Sequence, residues 1–216
     1  SENRLTKIPK NTPYDLAALM GCAASTALSL INNEAKVKIG ESVLIIGSGG
    51  VGLNLILASK LVSAFPVVVT DLNKKKLNLA KKIGADEIFN FESIKKLDRK
   101  FDVIIDTSGN TKAIEFGYNN ISDKYGRLVM VGQPHFKSKI VFNNASKNFT
   151  GKKIIDSQGG RFDPDKDLPN YIKLILNKKI QYKQLITNRV KIRDINLALK
   201  NIKSGQILGK CIVELF

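Results

Sequence analysis

The apolar positions divide the chain into a short opening stretch, a regular alternating middle and an irregular tail. Residues 5–13 read as extended, with Pro9 and Pro13 limiting helix. Apolar residues at helical spacing predict short helices over 14–20 and 25–32. From residue 42 the rhythm changes. β-rich apolar runs at 42–46, 66–70, 87–90, 101–106 and 127–132 predict strands, and helices are predicted between them at 50–63, 73–83 and 111–120. Within the first of these helices Leu53, Ile56, Leu57 and Leu61 fall on one face. Gly84 stops the second. Apolar strands alternating with helices predict a parallel sheet covered on both faces, with right-handed crossovers. Beyond Gly132 the alternation lapses. Strands are expected at 139–142 and 152–156, and a turn or boundary at Gly159, Gly160 and Pro164. Helices at 167–177 and 194–204 and a strand at 210–215 complete a tail that reads as an annex to the sheet.

In a doubly wound sheet the ligand lies beyond the C-terminal strand ends. Each predicted strand of the middle section ends there in small or polar residues. Between the first strand and its helix stands Gly47-Ser48-Gly49-Gly50-Val51-Gly52. Gly47 permits a tight turn, Gly49 leaves room for a pyrophosphate against the backbone, and Gly52 lets the helix pack close to the strand. The helix N-terminus offers unpaired N–H groups and a partial positive charge to phosphates. An acid at the tip of the second strand, Asp71, stands about twenty residues on, where such sites place the group that accepts the adenosine ribose hydroxyls. Its charge repels a 2′-phosphate, so NAD is expected over NADP, although Lys74, Lys75 and Lys76 partly offset it. Asp71 also reads as a plain helix cap, and methyltransferases share a glycine loop and a second-strand acid. The expected fold is an α/β Rossmann domain, a doubly wound parallel sheet with helices on both faces, plus a small C-terminal annex.

The 216 residues are 43% hydrophobic and 25% charged, enough for one large domain with an annex. No apolar run approaches bilayer length, and no signal-peptide pattern follows Ser1. Cys22 and Cys211 make no disulfide framework, so a cytoplasmic location is expected. The net charge of +16 raises nucleic-acid binding as a possibility. Only six of the basic residues are Arg, the bidentate reader of bases and phosphates, and the lysines are dispersed. Solvated helix faces in a Lys-rich composition are favoured, with an acidic partner domain as a third reading.

Further sequence blocks resemble the zinc-type medium-chain alcohol dehydrogenases. They are Met20-Gly21-Cys22-Ala23-Ala24-Ser25-Thr26, Gly40-Glu41-Ser42-Val43, the glycine loop, Asp71-Leu72-Asn73-Lys74 and Ile83-Gly84-Ala85. Asp106-Thr107-Ser108-Gly109-Asn110, Gly126-Arg127-Leu128-Val129 and Leu185-Ile186-Thr187 follow in the family's order. The resemblance implies that Cys22 stands at a catalytic-zinc ligand position; its plain alternative is a small residue buried between helices. It implies Thr26 as a catalytic residue near the nicotinamide with Val51 against its other side, Lys76 at the adenosine ribose, Val131 and Gly132 beside the nicotinamide, and Lys210 near the pyrophosphate. Thr26, Val51 and Val131 read equally as core residues. The family's other zinc ligands and proton relay belong to a preceding catalytic domain, whose motifs this chain lacks. Residues 1–24 resemble its remnant and a connecting helix, 25–165 the dinucleotide domain, and 166–216 an annex that belongs to the catalytic domain. The chain is therefore expected to be a fragment that binds NAD and is catalytically incomplete, with zinc held only in the full-length parent. An alcohol or polyol is the parent's expected substrate, and the missing domain is an expected partner. His135 reads as a surface or cofactor-edge residue. The stretch 139–142 resembles a dimerising edge strand, which implies a homodimer. The competing reading is a non-catalytic dinucleotide-binding module of a multidomain protein.

Overall fold

The computed structural model describes residues 5–142, 150–178 and 180–215. Six strands form one sheet: β1 (Val43–Ile46), β2 (Val67–Asp71), β3 (Glu87–Asn90), β4 (Val103–Asp106), β5 (Arg127–Met130) and β6 (Lys153–Asp156). Their order is β3-β2-β1-β4-β5-β6 and every neighbouring pair is parallel. All four residues of β1 and of β4 are buried, as a central parallel strand requires. The two-residue period sorts them between faces. Val43 and Ile45 enter one core, shared with α2 (Ala23–Ser29), α3 (Gly50–Leu61), α4 (Lys74–Ile83) and α7 (Pro164–Asn177). Leu44 and Ile46 enter the other, beneath α6 (Thr111–Asn120) and the short α5 (Phe91–Ile94).

The helix ends follow local chemistry. Asn73 accepts from the N–H groups of Lys75 and Lys76 at the start of α4, and Asn110 caps α6 through the N–H of Ala113. Gly84, at φ 125°, ends α4 in a conformation that side chains disfavour. Preceding the sheet, α1 (Tyr14–Met20) packs on α2, which continues into a π turn over Leu30–Glu34. After β6, α7 leads to a two-stranded parallel sheet, β7 (Ile186–Lys191) and β8 (Lys210–Glu214), joined through α8 (Ile195–Lys203).

Several expectations are corrected. Residues 139–142 form no strand. The place beside β5 is taken by β6, and Ile140 and Phe142 pack instead on the core beneath α6, with the Val141 N–H bonded to Glu115 Oε1 at 2.9 Å. Helix α7 opens at Pro164 rather than at residue 167, since the first turn of a helix needs no proline N–H. Helix α3 is not one-faced: Leu55 and Ala58 are as buried as Leu53 and Ile56, because α2 covers the side away from the sheet. Strand β7 and helix α5 were not anticipated.

Asp102 ties β4 to the segment before β1. Its Oδ2 accepts from Ser42 N at 2.9 Å and Ser42 Oγ at 2.8 Å, and Oδ1 from Ser122 Oγ at 3.2 Å. Burial pushes this carboxyl up, but those bonds and the Arg127 charge outweigh it and hold it below the ordinary 3.8. A folded-state value below the unfolded one adds stability above that pH and loses it as pH falls through the folded value. Asp102→Asn is expected to cost about 1–2 kcal/mol at pH 7. In urea unfolding, the gap from the parent should close as pH drops below 3.8; a constant gap refutes the assignment.

Candidate functional site

The strand order reverses between β1 and β4, and a crevice opens where their C-terminal ends diverge. The glycine loop runs along one lip. Gly47 takes φ 95°, and a Cβ there would stand 2.6 Å from Thr107 Oγ1. That hydroxyl donates to the carbonyls of Ile46 and Gly47, each at 3.0 Å, and stitches the two strand ends together. Gly52, in the first turn of α3, lies so close to the loop that a Cβ would sit 1.9 Å from the Gly47 carbonyl oxygen. Gly49, the residue before α3, is the opposite case. An added Cβ would meet nothing within 4 Å, so this glycine faces open space at the helix N-terminus.

Lys210, the first residue of β8, comes to the start of α3. Its Nζ lies 3.0 Å from where a Cβ on Gly50 would stand. A cation beside the positive end of a helix is unfavourable alone and favourable with an anion between. Asp71 closes the loop from the other side. Its Oδ2 accepts from Ser48 N at 2.7 Å and Ser48 Oγ at 2.8 Å, and its Oδ1 from Asn73 N at 2.8 Å. A cleft of about 360 Å³ opens beyond it, lined by Asp71, Leu72, Phe91, Ser108, Asn110 and Lys112 among others. On the far lip Asp106 is fully buried, accepting from Ser108 Oγ at 2.6 Å and Gly109 N at 2.9 Å. Burial raises this carboxyl above its ordinary range despite those bonds. Gly132 belongs to the same lip: a Cβ there would stand 2.1 Å from Gly109 N.

The structure therefore brings Gly47, Gly49, Gly50, Gly52, Asp71, Gly132 and Lys210 to one edge of the sheet. Val51 and Val131 are half-buried there and also pack against the main core. Lys76 lies in the first turn of α4, half-buried, and does not line the cleft. Thr26 is half-buried on α2, with its Oγ1 4.0 Å from where a Cβ on Gly159 would stand. Cys22 precedes α2 and is exposed, which removes the alternative of a residue buried between helices. His135 is exposed, with its ring 4.7 Å from that of Phe136. Among the described residues no three His, Cys, Asp or Glu side chains converge as a metal cluster. One thiol does not suffice for zinc, which takes about three protein ligands even at a catalytic site, so this chain alone does not fit that metal. The sequence reading missed Phe91, Ser108, Asn110 and Lys112 as cleft residues. The Asp106–Asn110 stretch was visible only as a motif, and α5 is too short to show periodicity.

Residues 50–177 match the family described as zinc-binding dehydrogenase. An alcohol dehydrogenase of Malus domestica is 29% identical over 221 residues, covering 98% of this chain and 57% of the relative. Alcohol dehydrogenase 2 of Zea mays is also 29% identical, over 98% of this chain and 58% of its own length. The benzyl alcohol dehydrogenase of Acinetobacter calcoaceticus superposes with a TM-score of 0.90 at 26% identity, over 100% of this chain and 60% of that one. The chain thus spans less than two thirds of the relatives it matches.

The glycines separate by what surrounds them. Gly52→Ala is expected to destabilise by about 1–3 kcal/mol or more, because backbone occupies the Cβ position. Gly49→Ala should stay within about 0.5 kcal/mol. Thermal melts of both variants check the contrast, and equal losses contradict it.

Proposed function

The chain belongs to the zinc-binding dehydrogenase family, and from that premise we propose that it is the NAD(H)-holding part of an NAD-dependent alcohol dehydrogenase. The observation that carries the proposal is the open space at Gly49 before the N-terminus of α3, with the Lys210 ammonium beside the next residue, Gly50. A pyrophosphate there would accept the free N–H groups of the first helical turn and neutralise Lys210. The cleft beyond Asp71 would take the adenosine, with Phe91 along one wall and the Asp71 carboxylate on the ribose hydroxyls. Lys76, on the helix after Asp71, would assist at the ribose. The nicotinamide would lie toward Gly132 and Val131, with Val51 and Thr26 alongside. Bound there, the nicotinamide supplies a hydride acceptor for an alcohol carbon. The chain's own residues hold and orient it, and they keep its charged half on the helix end.

The reacting alcohol or polyol, and the zinc of the whole enzyme, belong to the same proposal. Cys22 would give one thiolate to a metal site completed by residues of a preceding domain. We read 25–165 as the dinucleotide domain, 1–24 as a remnant of that preceding domain, with residues 1–4 outside the described ones, and 166–216 as its annex. The exposed apolar residues of the annex, Ile192, Leu197, Leu199 and Ile202, are 47–59% exposed and support a covering domain. The homodimer expected from 139–142 loses that strand as its basis; β6 is an edge strand among the described residues, and homodimer pairing would have to run along it. No single helix among those residues is long and apolar enough to cross a membrane, and a cytoplasmic site of action is proposed.

Titration of the chain with NAD and NADP tests the cofactor site. Gly49→Val should keep the parent's melting temperature and lose at least about 100-fold in NAD affinity, through steric intrusion on the pyrophosphate. Lys210→Gln should lose about tenfold or more, as loss of a charge-assisted contact implies. Normal binding by Gly49→Val refutes the loop assignment. Asp71→Ala should weaken NAD and shift preference toward NADP; an unchanged ratio refutes the ribose role.

A further inference from the structure

The opposite edge of the sheet carries a second concave site. A cavity of about 430 Å³ opens at the N-terminal ends of β5 and β6, lined by Glu34, Lys36, Lys38, Arg127, Lys153 and Arg161 among others. Arg127 and Lys153 begin their strands and pair in register. The cavity is therefore separated by the length of the strands from the edge that carries the glycine loop. Two buried polar atoms of its lining residues lack partners. The Glu34 side chain is 3% exposed, and its Oε2 has none. Arg161 Nε stands 3.8 Å from the other oxygen, beyond hydrogen-bond reach. Arg127 gives Nη2 to the Glu41 carboxylate and Nη1 to the Tyr125 carbonyl, while its buried Nε is unpaired. A buried acceptor and a buried donor left open are each costly, and such pairs are uncommon without a ligand or water to serve them.

The walls add charge and fixed shape. Lys36, Lys38 and Lys153 are exposed, and no ion pair among the described residues engages them. Lys36, Tyr125 and Arg161 take φ of 47°, 58° and 50°, and all three line this cavity. Left-handed backbone at non-glycine residues is uncommon, and it gathers where a structure must hold a particular wall.

We propose that this cavity binds a small phosphate monoester that also carries hydroxyl groups. The phosphate would sit among Lys36, Lys38 and Lys153, which together exceed the single carboxylate facing them. A bare anion would leave Glu34 unserved, whereas a hydroxyl would donate to it once the carboxylate turns toward the cavity. Hydroxyl oxygens likewise accept from the Arg127 guanidinium.

Calorimetric titration of the chain, with saturating NAD to fill the glycine loop, tests the site against glycerol 3-phosphate, inorganic phosphate and glycerol. Glycerol 3-phosphate is expected to bind at about 1 mM or tighter. Inorganic phosphate should bind at least tenfold more weakly, and glycerol not at all. The double variant Lys36→Glu/Lys38→Glu changes two exposed side chains, so it should keep the parent's melting temperature and lose at least tenfold in affinity. Glu34→Gln should narrow the gap between ester and inorganic phosphate. Gly49→Val should bind the ester as the parent does, which keeps the outcome separate from that of the cofactor site. No saturable heat, equal affinity for ester and inorganic phosphate, or undiminished binding by the lysine variant overturns the proposal. If Glu34→Gln does not fold, the lysine variant decides.

Discussion

The close approach of α3 to the turn before it is the constraint on which this site depends. The Gly47 carbonyl and the Gly52 Cα share a space that admits no further carbon. That contact points the helix N-terminus at the place where the strand order reverses. It works only because β1 is fixed from both sides, with every residue buried and its neighbours β2 and β4 in matched parallel register. Thr107 then clips the end of β4 to the same turn. Packing alone thus fixes where the free N–H groups of the first turn of α3 stand, which would leave little ordering to the binding proposed for this edge.

Two strand-end acids divide the work at this edge. Asp71 ends β2, is half-buried, and holds the loop through Ser48 and the start of the next segment through Asn73. Asp106 ends β4, is fully buried, and organises the Ser108–Gly109 turn. Their surroundings set their chemistry. Asp71 keeps one side toward the open cleft and suits a neutral hydroxyl partner. Asp106 is closed off, and burial raises its carboxyl above its ordinary range, as expected of a structural group that loses hydration. Sequence position alone treats the two alike; depth in the fold separates them.

Much of the sheet was legible because a buried parallel strand has few ways to be written. Runs such as Val43–Ile46 and Val103–Ile105 are apolar and stand before small or polar residues. The failures have particular causes. β7 carries Thr187, Asn188 and Arg189 in succession, so it lacks both alternation and an apolar run, and it exists by pairing with β8 twenty residues later. Residues 139–142 have strand composition but no partner, since β6 occupies the edge they would have joined. The glycine loop and Asp71 were readable because both lie within one βαβ unit. Lys210 was not readable from local pattern. It meets Gly50 across 160 positions of sequence, and only the family resemblance suggested it. The basic cavity on the other edge had no sequence signal, since its lysines look like any others in a chain of net charge +16.

The annex returns to the C-terminal edge of the sheet. β8 delivers Lys210 to the helix end, and Gly205, just before it, comes near Asn73 at the start of α4. The tail therefore meets the starts of α3 and α4 at the C-terminal edge of the sheet. Nothing comparable completes the neighbourhood of Cys22. Its carbonyl is engaged by Ser25 Oγ at 2.7 Å and by the Thr26 N–H, which fixes the start of α2, but its thiol faces outward. Among the described residues no cluster of His, Cys, Asp or Glu forms around this exposed thiol. Leu197, Leu199 and Ile202 of α8 are exposed apolar residues, the kind of surface that marks an interaction site. In the proposed reading the chain's own packing builds the cofactor edge, and a preceding domain would complete the metal site and cover α8.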